Sequence, residues 1–273
     1  MELFGLKMLP AVLAASLLLS AICARADEFE TREEALAALD KYTRLIDAEP
    51  NYAPFHTLRG DAYYALNDLY GAAQSYSAAI RLDDRQDRAY FGRGMALGRM
   101  GLVDESIVDF DVYLRRNPDS SIAYTKRGVR NIWRNNLAAA ERDLTRAIEL
   151  DPANAEAHDD LGVVHAKHRR LKQAAHHFST AIKLDPAYQK AYHNLAIVFY
   201  MTGQYAESLQ IINAGLQLDA DNRNSMTLKS AILQAMGRKA EAKAVAERAE
   251  FLPEKNWSEQ SAIVAPTQEG EKK

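Results

Sequence analysis

The sequence predicts an all-α protein in which pairs of helices repeat every 34 residues. Helix-favouring residues such as Ala, Leu, Glu and Lys are abundant, whereas the 273 residues include only 8 prolines. The related phrases AIELDP and AIKLDP end at Pro152 and Pro186, which are 34 residues apart. Stepping by that interval keeps small, aromatic and proline residues aligned over about 200 residues.

The aligned columns have a simple packing interpretation when each repeat is numbered from position 1 to position 34. Small residues at position 8 let the two helices approach, and a large residue at position 24 fills the space beside them. Proline at position 32 ends the second helix. One helix pair cannot bury its apolar face alone, so stacked repeats share a core. Position 8 carries Gly60, Gly94, Gly128, Gly162, Ala196 and Ser230, and position 24 carries Tyr76, Phe110, Leu144, Phe178, Ile212 and Ala246.

This pattern resembles the tetratricopeptide repeat, a helix–turn–helix unit of 34 residues. The best copy spans 155–188 and contains Leu161, Gly162, Phe178 and Pro186 at the expected positions. The resemblance implies a right-handed α-solenoid of stacked repeats. We expect six repeats, at 53–86, 87–120, 121–154, 155–188, 189–222 and 223–256.

The ends of the chain depart from the repeat. Residues 27–52 match only the second helix of a repeat, so we expect an N-terminal capping helix that forms a half repeat. The tail 257–273 has no helical period and is predicted to be disordered. Beyond residue 26 no apolar run approaches 18 residues, so no membrane span is expected.

Residues 1–26 have the form of a secretory signal peptide. An apolar run at 8–22 precedes a tripeptide of the small-residue type that ends at Ala26. Cleavage after Ala26 would deliver a periplasmic or secreted protein. The alternative is a lipoprotein acylated at Cys23, the only cysteine. The resemblance to a lipoprotein signal is incomplete, because such signals have a small residue just before the cysteine and this sequence has Ile22.

Composition and motifs argue against several classes of function. The formal net charge is −3, with both signs interspersed, which disfavours binding to a phosphate backbone. No glycine-rich phosphate loop, nucleophile elbow or paired-carboxylate arrangement is present. We therefore expect no enzyme activity, no catalytic residues and no cofactor.

Six of the seven histidines lie between residues 158 and 193. His158 and His165 occupy large core positions of their repeat, so we interpret them as packing groups, each with a hydrogen-bond partner. His176 and His177 are adjacent on a helix and point about 100° apart, which disfavours a shared metal. No zinc-type spacing occurs either, so no metal is expected.

Arginine recurs at position 7, where leucine is the commoner residue of the family. Arg59, Arg93 and Arg127 are each followed by glycine, and Asp109 and Asp143 lie 16 residues after the last two. We expect structural ion pairs between the two helices of a repeat. The alternative is a ladder of arginines that binds an anion.

Positions 2, 5, 6, 9 and 13 of the first helix point away from the second helix. In tetratricopeptide folds this face resembles the lining of a concave groove, although some of its residues could instead pack against the next first helix. His193 lies near Asp159 on this face, where pH could affect binding. The candidate partner-binding residues are Arg88, Phe91, Met95, Arg99, Lys126, Val129, Trp133, Asp159, Lys190, His193, Asn194, Ile197, Tyr200 and Met201.

The mixed character of this face predicts a protein or peptide partner. Aromatic residues, Met and Arg are enriched in binding surfaces, and both signs of charge suit an amphipathic helix or an extended peptide. Position 9 lacks the Asn of the chaperone-tail clamp, and Asn194 alone does not make an asparagine ladder. The sequence therefore predicts an interaction scaffold or adaptor, with a lipid-anchored adaptor of a protease or envelope assembly machine as the alternative.

Overall fold

A computed structural model describes residues 29–253, which form 13 α-helices and no β-strand within that range. The predicted signal peptide and the predicted tail 257–273 lie outside the described residues. The helices are α1 (Arg32–Ala48), α2 (Ala53–Ala65), α3 (Leu69–Leu82), α4 (Asp87–Arg99), α5 (Val103–Arg116), α6 (Ser121–Trp133), α7 (Leu137–Leu150), α8 (Ala155–Lys167), α9 (Leu171–Leu184), α10 (Gln189–Met201), α11 (Tyr205–Leu218), α12 (Arg223–Ala235) and α13 (Lys239–Glu250). Repeats 1 to 6 thus begin with α2, α4, α6, α8, α10 and α12.

The helices belong to two compact units, which divide between Ala96 and Leu97 within α4. In the first unit, α2 packs against α1 and α3. In the second unit, the two helices of repeats 3 to 6 pack against each other, and each second helix also packs against the following first helix. Successive first helices touch as well, α6 with α8, α8 with α10 and α10 with α12. These stacked pairs confirm the predicted all-α repeat fold. No helix within residues 29–253 has the length and apolar character that a bilayer crossing needs.

The turn inside each repeat depends on one residue with a positive φ at position 15. A left-handed backbone costs an ordinary residue about 1–2 kcal/mol and costs glycine almost nothing. The six residues are Asn67, Gly101, Asn135, Arg169, Gly203 and Gly237, with φ of 63°, 81°, 59°, 59°, 77° and 77°. Arg169 is therefore in the least favourable conformation of the six.

Positions 8 and 24 explain how closely the helices of a repeat approach. A Cβ atom on Gly162 would lie 2.6 Å from Cε1 of Phe178, so the ring packs directly on the backbone of α8. In the next repeat, position 8 carries the larger Ala196 and position 24 carries Ile212, and both are buried. The two positions change volume in opposite directions, as close packing requires.

Side chains at the junctions connect each repeat to the preceding one. Asn154 caps α8 by accepting from the backbone N–H of Ala157 at 2.9 Å, and its Nδ2 donates to Oγ of Ser121 at 2.9 Å. Position 4 adds a second junction bond: Nε2 of His158 lies 3.3 Å from the carbonyl oxygen of Pro152. These bonds fix the angle at which α8 enters the stack and so orient its outward face.

Candidate partner-binding face

The first-helix face contains much less open surface than its sequence suggests. Arg88, Phe91 and Met95 belong to the first compact unit and the other candidates to the second. Seven candidates are buried, namely Met95, Val129, Asp159, Lys190, His193, Asn194 and Ile197. Six are half-buried, namely Arg88, Phe91, Lys126, Trp133, Tyr200 and Met201, and Arg99 is exposed. The seven buried residues are a correction to the predicted open groove, and six of them lie on α6, α8 and α10, which pack against each other as successive first helices.

Ion pairs connect position 6 of one first helix with position 2 of the next. Nζ of Lys126 on α6 lies 2.7 and 2.8 Å from the two carboxylate oxygens of Glu156 on α8. One repeat later the polarity is reversed, since Nζ of Lys190 on α10 lies 3.0 Å from Oδ1 of Asp160 on α8. We call these two contacts the first-helix ladder. Lys126 and Lys190, which the sequence analysis predicted to bind a partner, are therefore paired with carboxylates within the protein.

The second rung of the ladder is fully removed from solvent. Lys190 is 2% exposed and Asp159 and Asp160 are 0% exposed. Nζ of Lys190 also lies 2.9 Å from Oδ2 of Asp159, and Nδ2 of Asn194 donates to Oδ1 of Asp159 at 2.9 Å. Burial raises the pKa of the Asp159 carboxyl, because its charged form has lost water. Burial opposes the charge on Lys190 too, but the two carboxylates outweigh it and raise the pKa of the ammonium.

His193 does not lie on an accessible groove beside Asp159. Its ring is buried, and Nδ1 lies 3.4 Å from Oγ of Ser225 on α12. Burial lowers the pKa of His193 to about 4, so the ring is neutral at physiological pH. The sequence-based expectation that this histidine would tune binding from the groove is therefore replaced by a structural role between α10 and α12.

The accessible remainder of the face in the second unit is apolar and aromatic. Ile122 near the start of α6 is 52% exposed, and Trp133 lies at the other end of the same helix. The guanidinium of Arg130 lies 4.3 Å from the centre of the Trp133 ring, which holds the indole in place. On α10 the ring of Tyr200 packs against that of Tyr205 at a centroid distance of 5.6 Å. These rigid aromatic groups are suited to contact with a partner.

A polar network inside repeat 3 confirms the expected ion pair. Nη2 of Arg127 lies 2.6 Å from Oδ1 of Asp143, and Nδ2 of Asn131 donates to Oδ2 of the same carboxylate at 3.1 Å. Arg127 also contacts Asp111 at 2.6 Å. The guanidinium is thus saturated by carboxylates within the protein, which leaves no role for it in an anion ladder.

Three histidines meet inside repeat 4, an arrangement that the sequence spacing did not reveal. Nδ1 of His158 on α8 lies 3.1 Å from Nδ1 of His177 on α9. The ring of His165 stacks on that of His177 at a centroid distance of 5.1 Å. The expected hydrogen bond of His158 is present, but Nδ1 of His165 has none, which corrects the expectation for that ring. We call His158, His165 and His177 the histidine cluster.

The signal that could have located the cluster is the repeat register itself. His158, His165 and His177 occupy positions 4, 11 and 23, which in repeat 3 carry members of one contacting network. Within residues 29–253 no group of three or more metal-binding side chains has a geometry suited to a metal ion.

Three family models match the chain. One described as "TPR repeat" matches residues 60–101, and two described as "Tetratricopeptide repeat" match residues 134–175 and 165–232. The chain belongs to the tetratricopeptide repeat family. None of these three models describes a catalytic family, and tetratricopeptide repeats are in general scaffolds for protein interactions.

Other tetratricopeptide proteins resemble this chain over part or most of its length. A TPR repeat-containing protein of Methanocaldococcus jannaschii is 34% identical over 89 residues, which are 33% of this chain and 15% of that protein. A tetratricopeptide repeat protein from Parabacteroides merdae superposes with a TM-score of 0.68 at 18% identity, covering 88% of this chain and 93% of its own. YrrB, described as a TPR protein with an unusual peptide-binding site, superposes with a TM-score of 0.55 at 21% identity over 70% of this chain and 99% of its own. These likenesses show the fold of this tetratricopeptide protein and leave its partner open.

Proposed function

We propose that this tetratricopeptide protein is a non-catalytic scaffold of the cell envelope that holds a protein or peptide partner. The binding surface is the accessible part of the first-helix face in repeats 3 to 5. One observation carries the proposal: Ile122 is exposed and Trp133, Tyr200 and Met201 are half-buried, on helices whose other face-lining residues are buried except for the ion-paired Lys126. Apolar and aromatic side chains held on rigid helices lose little conformational entropy when they contact a partner.

The charges around these residues favour a partner with apolar anchors. Lys126 and Glu156 neutralise each other at the edge of the face, and Lys190 is neutralised in the interior. In repeats 3 to 5 the face therefore offers a partner little accessible charge to bind, apart from the exposed Lys167 at position 13 of α8. An amphipathic helix or extended peptide that inserts apolar side chains fits this surface better than a highly charged segment does.

The envelope location rests on the sequence of residues 1–26. A secretory signal cleaved after Ala26 predicts a mature protein that begins at Asp27. The alternative, acylation of Cys23, predicts a lipid-bearing N-terminus. The intact mass of the mature protein, isolated from its native cell, distinguishes the two.

A pair of matched variants tests the binding surface. Ile122 on α6 and Val108 on α5 are β-branched residues with similar exposure, 52% and 59%, but Val108 lies on a second helix. The partner is first captured with the full chain from its native compartment, and its affinity is then measured for Ile122→Asp and Val108→Asp. We expect Ile122→Asp to weaken the affinity about tenfold or more, because a buried carboxylate would face the partner, and Val108→Asp to leave it unchanged. Equal affinities of the two variants would contradict the proposal.

A further inference from the structure

The histidine cluster places three titratable rings where neighbouring repeats use other chemistry. The cluster occupies core positions 4, 11 and 23 between α8 and α9. Repeat 3 fills these positions with a charged and amide network, and repeat 5 fills them with aromatic and aliphatic groups. In the order of repeats 3, 4 and 5 the residues are Tyr124, Asn131 and Asp143; His158, His165 and His177; and Tyr192, Phe199 and Ile211.

We propose that repeat 4 is a proton-sensitive joint, in which protonation of the histidine cluster loosens the packing of α8 against α9 while repeat 3, which contains no histidine, keeps its packing. A fold of this kind can respond locally, because each repeat contacts only its neighbours and opens with its own free energy. The joint adds a pH response to the scaffold and is independent of which partner the scaffold binds.

The hydrogen-bond pattern of the cluster requires the ring of His158 to be neutral. The carbonyl oxygen of Pro152 can only accept, so Nε2 of His158 carries the hydrogen of that ring. Nδ1 of His158 is then an acceptor, and Nδ1 of His177, 3.1 Å away, donates to it. Protonating Nδ1 of His158 would give that atom a hydrogen that points at the N–H on Nδ1 of His177, and this bond would be lost. Protonating His177 instead would put a charge in the ring that stacks on His165.

Charged groups on α7 and α9 do not offset a charge in the cluster. The carboxylate of Glu141 on α7 opposes the lowered pKa of His165, but Arg170 binds both of its oxygens, at 2.8 and 2.7 Å, and acts on His165 in the opposite direction. The ring of His176 on α9 meets the edge of the His177 ring at a centroid distance of 5.5 Å, and its repulsion adds to the burial that lowers the pKa of His177. The arrangement therefore accumulates like charges, which repel each other in a partly buried site.

The groups that face α8 from α6 and α10 connect the cluster to the ladder. Lys126 of α6 is bound to Glu156 of α8, and Lys190 of α10 is bound to Asp159 and Asp160. All three carboxylates lie on α8, and each of them is within ion-pair distance of a lysine. A movement of α8 away from α9 would strain both rungs of the ladder and so reach the accessible face.

The pKa values of the cluster agree with this geometry. Burial lowers the pKa of His177 to about 4 and also lowers the pKa of His158 and of His165. In the unfolded chain each ring titrates near pH 6.5. As the pH falls below about 6.5, the open state binds protons that the packed state rejects. The packed state therefore loses stability from about pH 6.5 down to about pH 4.

Hydrogen–deuterium exchange of the full chain at pH 7.5 and pH 5.0 tests the joint, after correction for the intrinsic pH dependence of exchange. We expect the amides of α8 and α9 to lose protection about tenfold more than those of α6 and α7, which contain no histidine. Local exchange is the appropriate readout because His193 in repeat 5 is also buried and neutral and would contribute to a global melting curve.

Repeat 5 supplies the matched control. The triple variant His158→Tyr, His165→Phe and His177→Ile places the residues of repeat 5 at the same three positions, and it should show equal changes in α8–α9 and α6–α7. If that variant does not fold at pH 7.5, the single variant His177→Gln keeps a neutral hydrogen-bonding group and should remove most of the difference. The proposal is overturned if the wild type loses protection uniformly, or if the folded variant retains the wild-type difference.

Discussion

Nζ of Lys190 on α10 lies 3.0 Å from Oδ1 of Asp160 on α8, and both side chains are almost entirely removed from solvent. Two successive first helices are therefore joined by a buried ion pair at the place where the sequence predicts an open groove. The pair carries an excess of negative charge, because Asp159 is buried beside it. A buried ion pair contributes little net stability but is costly to break, so its removal has a distinct experimental signature.

Replacement of Lys190 by methionine should destabilise the protein by about 3–5 kcal/mol, because two carboxylates would remain buried without a cation. The measurement is chemical denaturation at pH 7. Lys126→Met is the matched control at the other rung, where both side chains are partly exposed, and should cost less than about 1 kcal/mol. Similar losses of stability for the two variants would show that burial does not make the Lys190 ion pair more costly to break.

A methyl group at Gly162 should destabilise repeat 4 by about 1–3 kcal/mol, because its Cβ would lie 2.6 Å from the Phe178 ring. The double variant Gly162→Ala with Phe178→Ile recreates the pair Ala196 and Ile212 of repeat 5 and should recover part of that loss. Thermal unfolding of the two variants measures the coupling. Additive effects in the double variant would contradict the assigned packing.

Arg169→Gly should stabilise the protein by about 1 kcal/mol, because the residue has a φ of 59° in the turn of repeat 4. Gly203 has the same position and a φ of 77° in repeat 5, so Gly203→Arg should destabilise by a similar amount. Equilibrium unfolding in urea provides the comparison. Changes of the same sign in both variants would be inconsistent with a left-handed turn at position 15.

The buried ring of His193 should make the stability of repeat 5 depend on pH. Its pKa is lowered to about 4 by burial, so the stabilising neutral state is fully populated above about pH 6.5 and is lost as the pH falls towards 4. Between pH 7 and pH 5 this group should account for about 1–2 kcal/mol of lost stability. The variant His193→Thr introduces threonine, the residue that position 5 carries in repeats 1, 3 and 6. It should reduce the loss of stability between pH 7 and pH 5 by about 1–2 kcal/mol. The measurement is the free energy of unfolding by denaturation across this pH range. A dependence on pH in His193→Thr equal to that of the wild type would contradict the prediction.

The helix pairs could be predicted from the sequence because the register is carried by residues whose packing role is local. Gly162 and Phe178 lie 16 residues apart and contact each other within one repeat, so the column of small residues indicates the contact directly. The charge on Lys190 could not be interpreted in the same way. Its partner Asp160 lies on another repeat, and a helix wheel shows which way a residue points but not whether the next helix covers it. The histidine cluster was missed for a related reason, since each ring taken alone is an ordinary core residue.

Site-specific photocrosslinking in the native cell tests the binding surface most directly. A photoreactive residue is placed at Ile122 or Met201 on the accessible first-helix face, and at Val108 on a second helix as the control. The proposed scaffold predicts a discrete protein adduct from positions 122 and 201 and none from position 108. Adducts from position 108 alone, or the same adducts from all three positions, would contradict the proposed binding face.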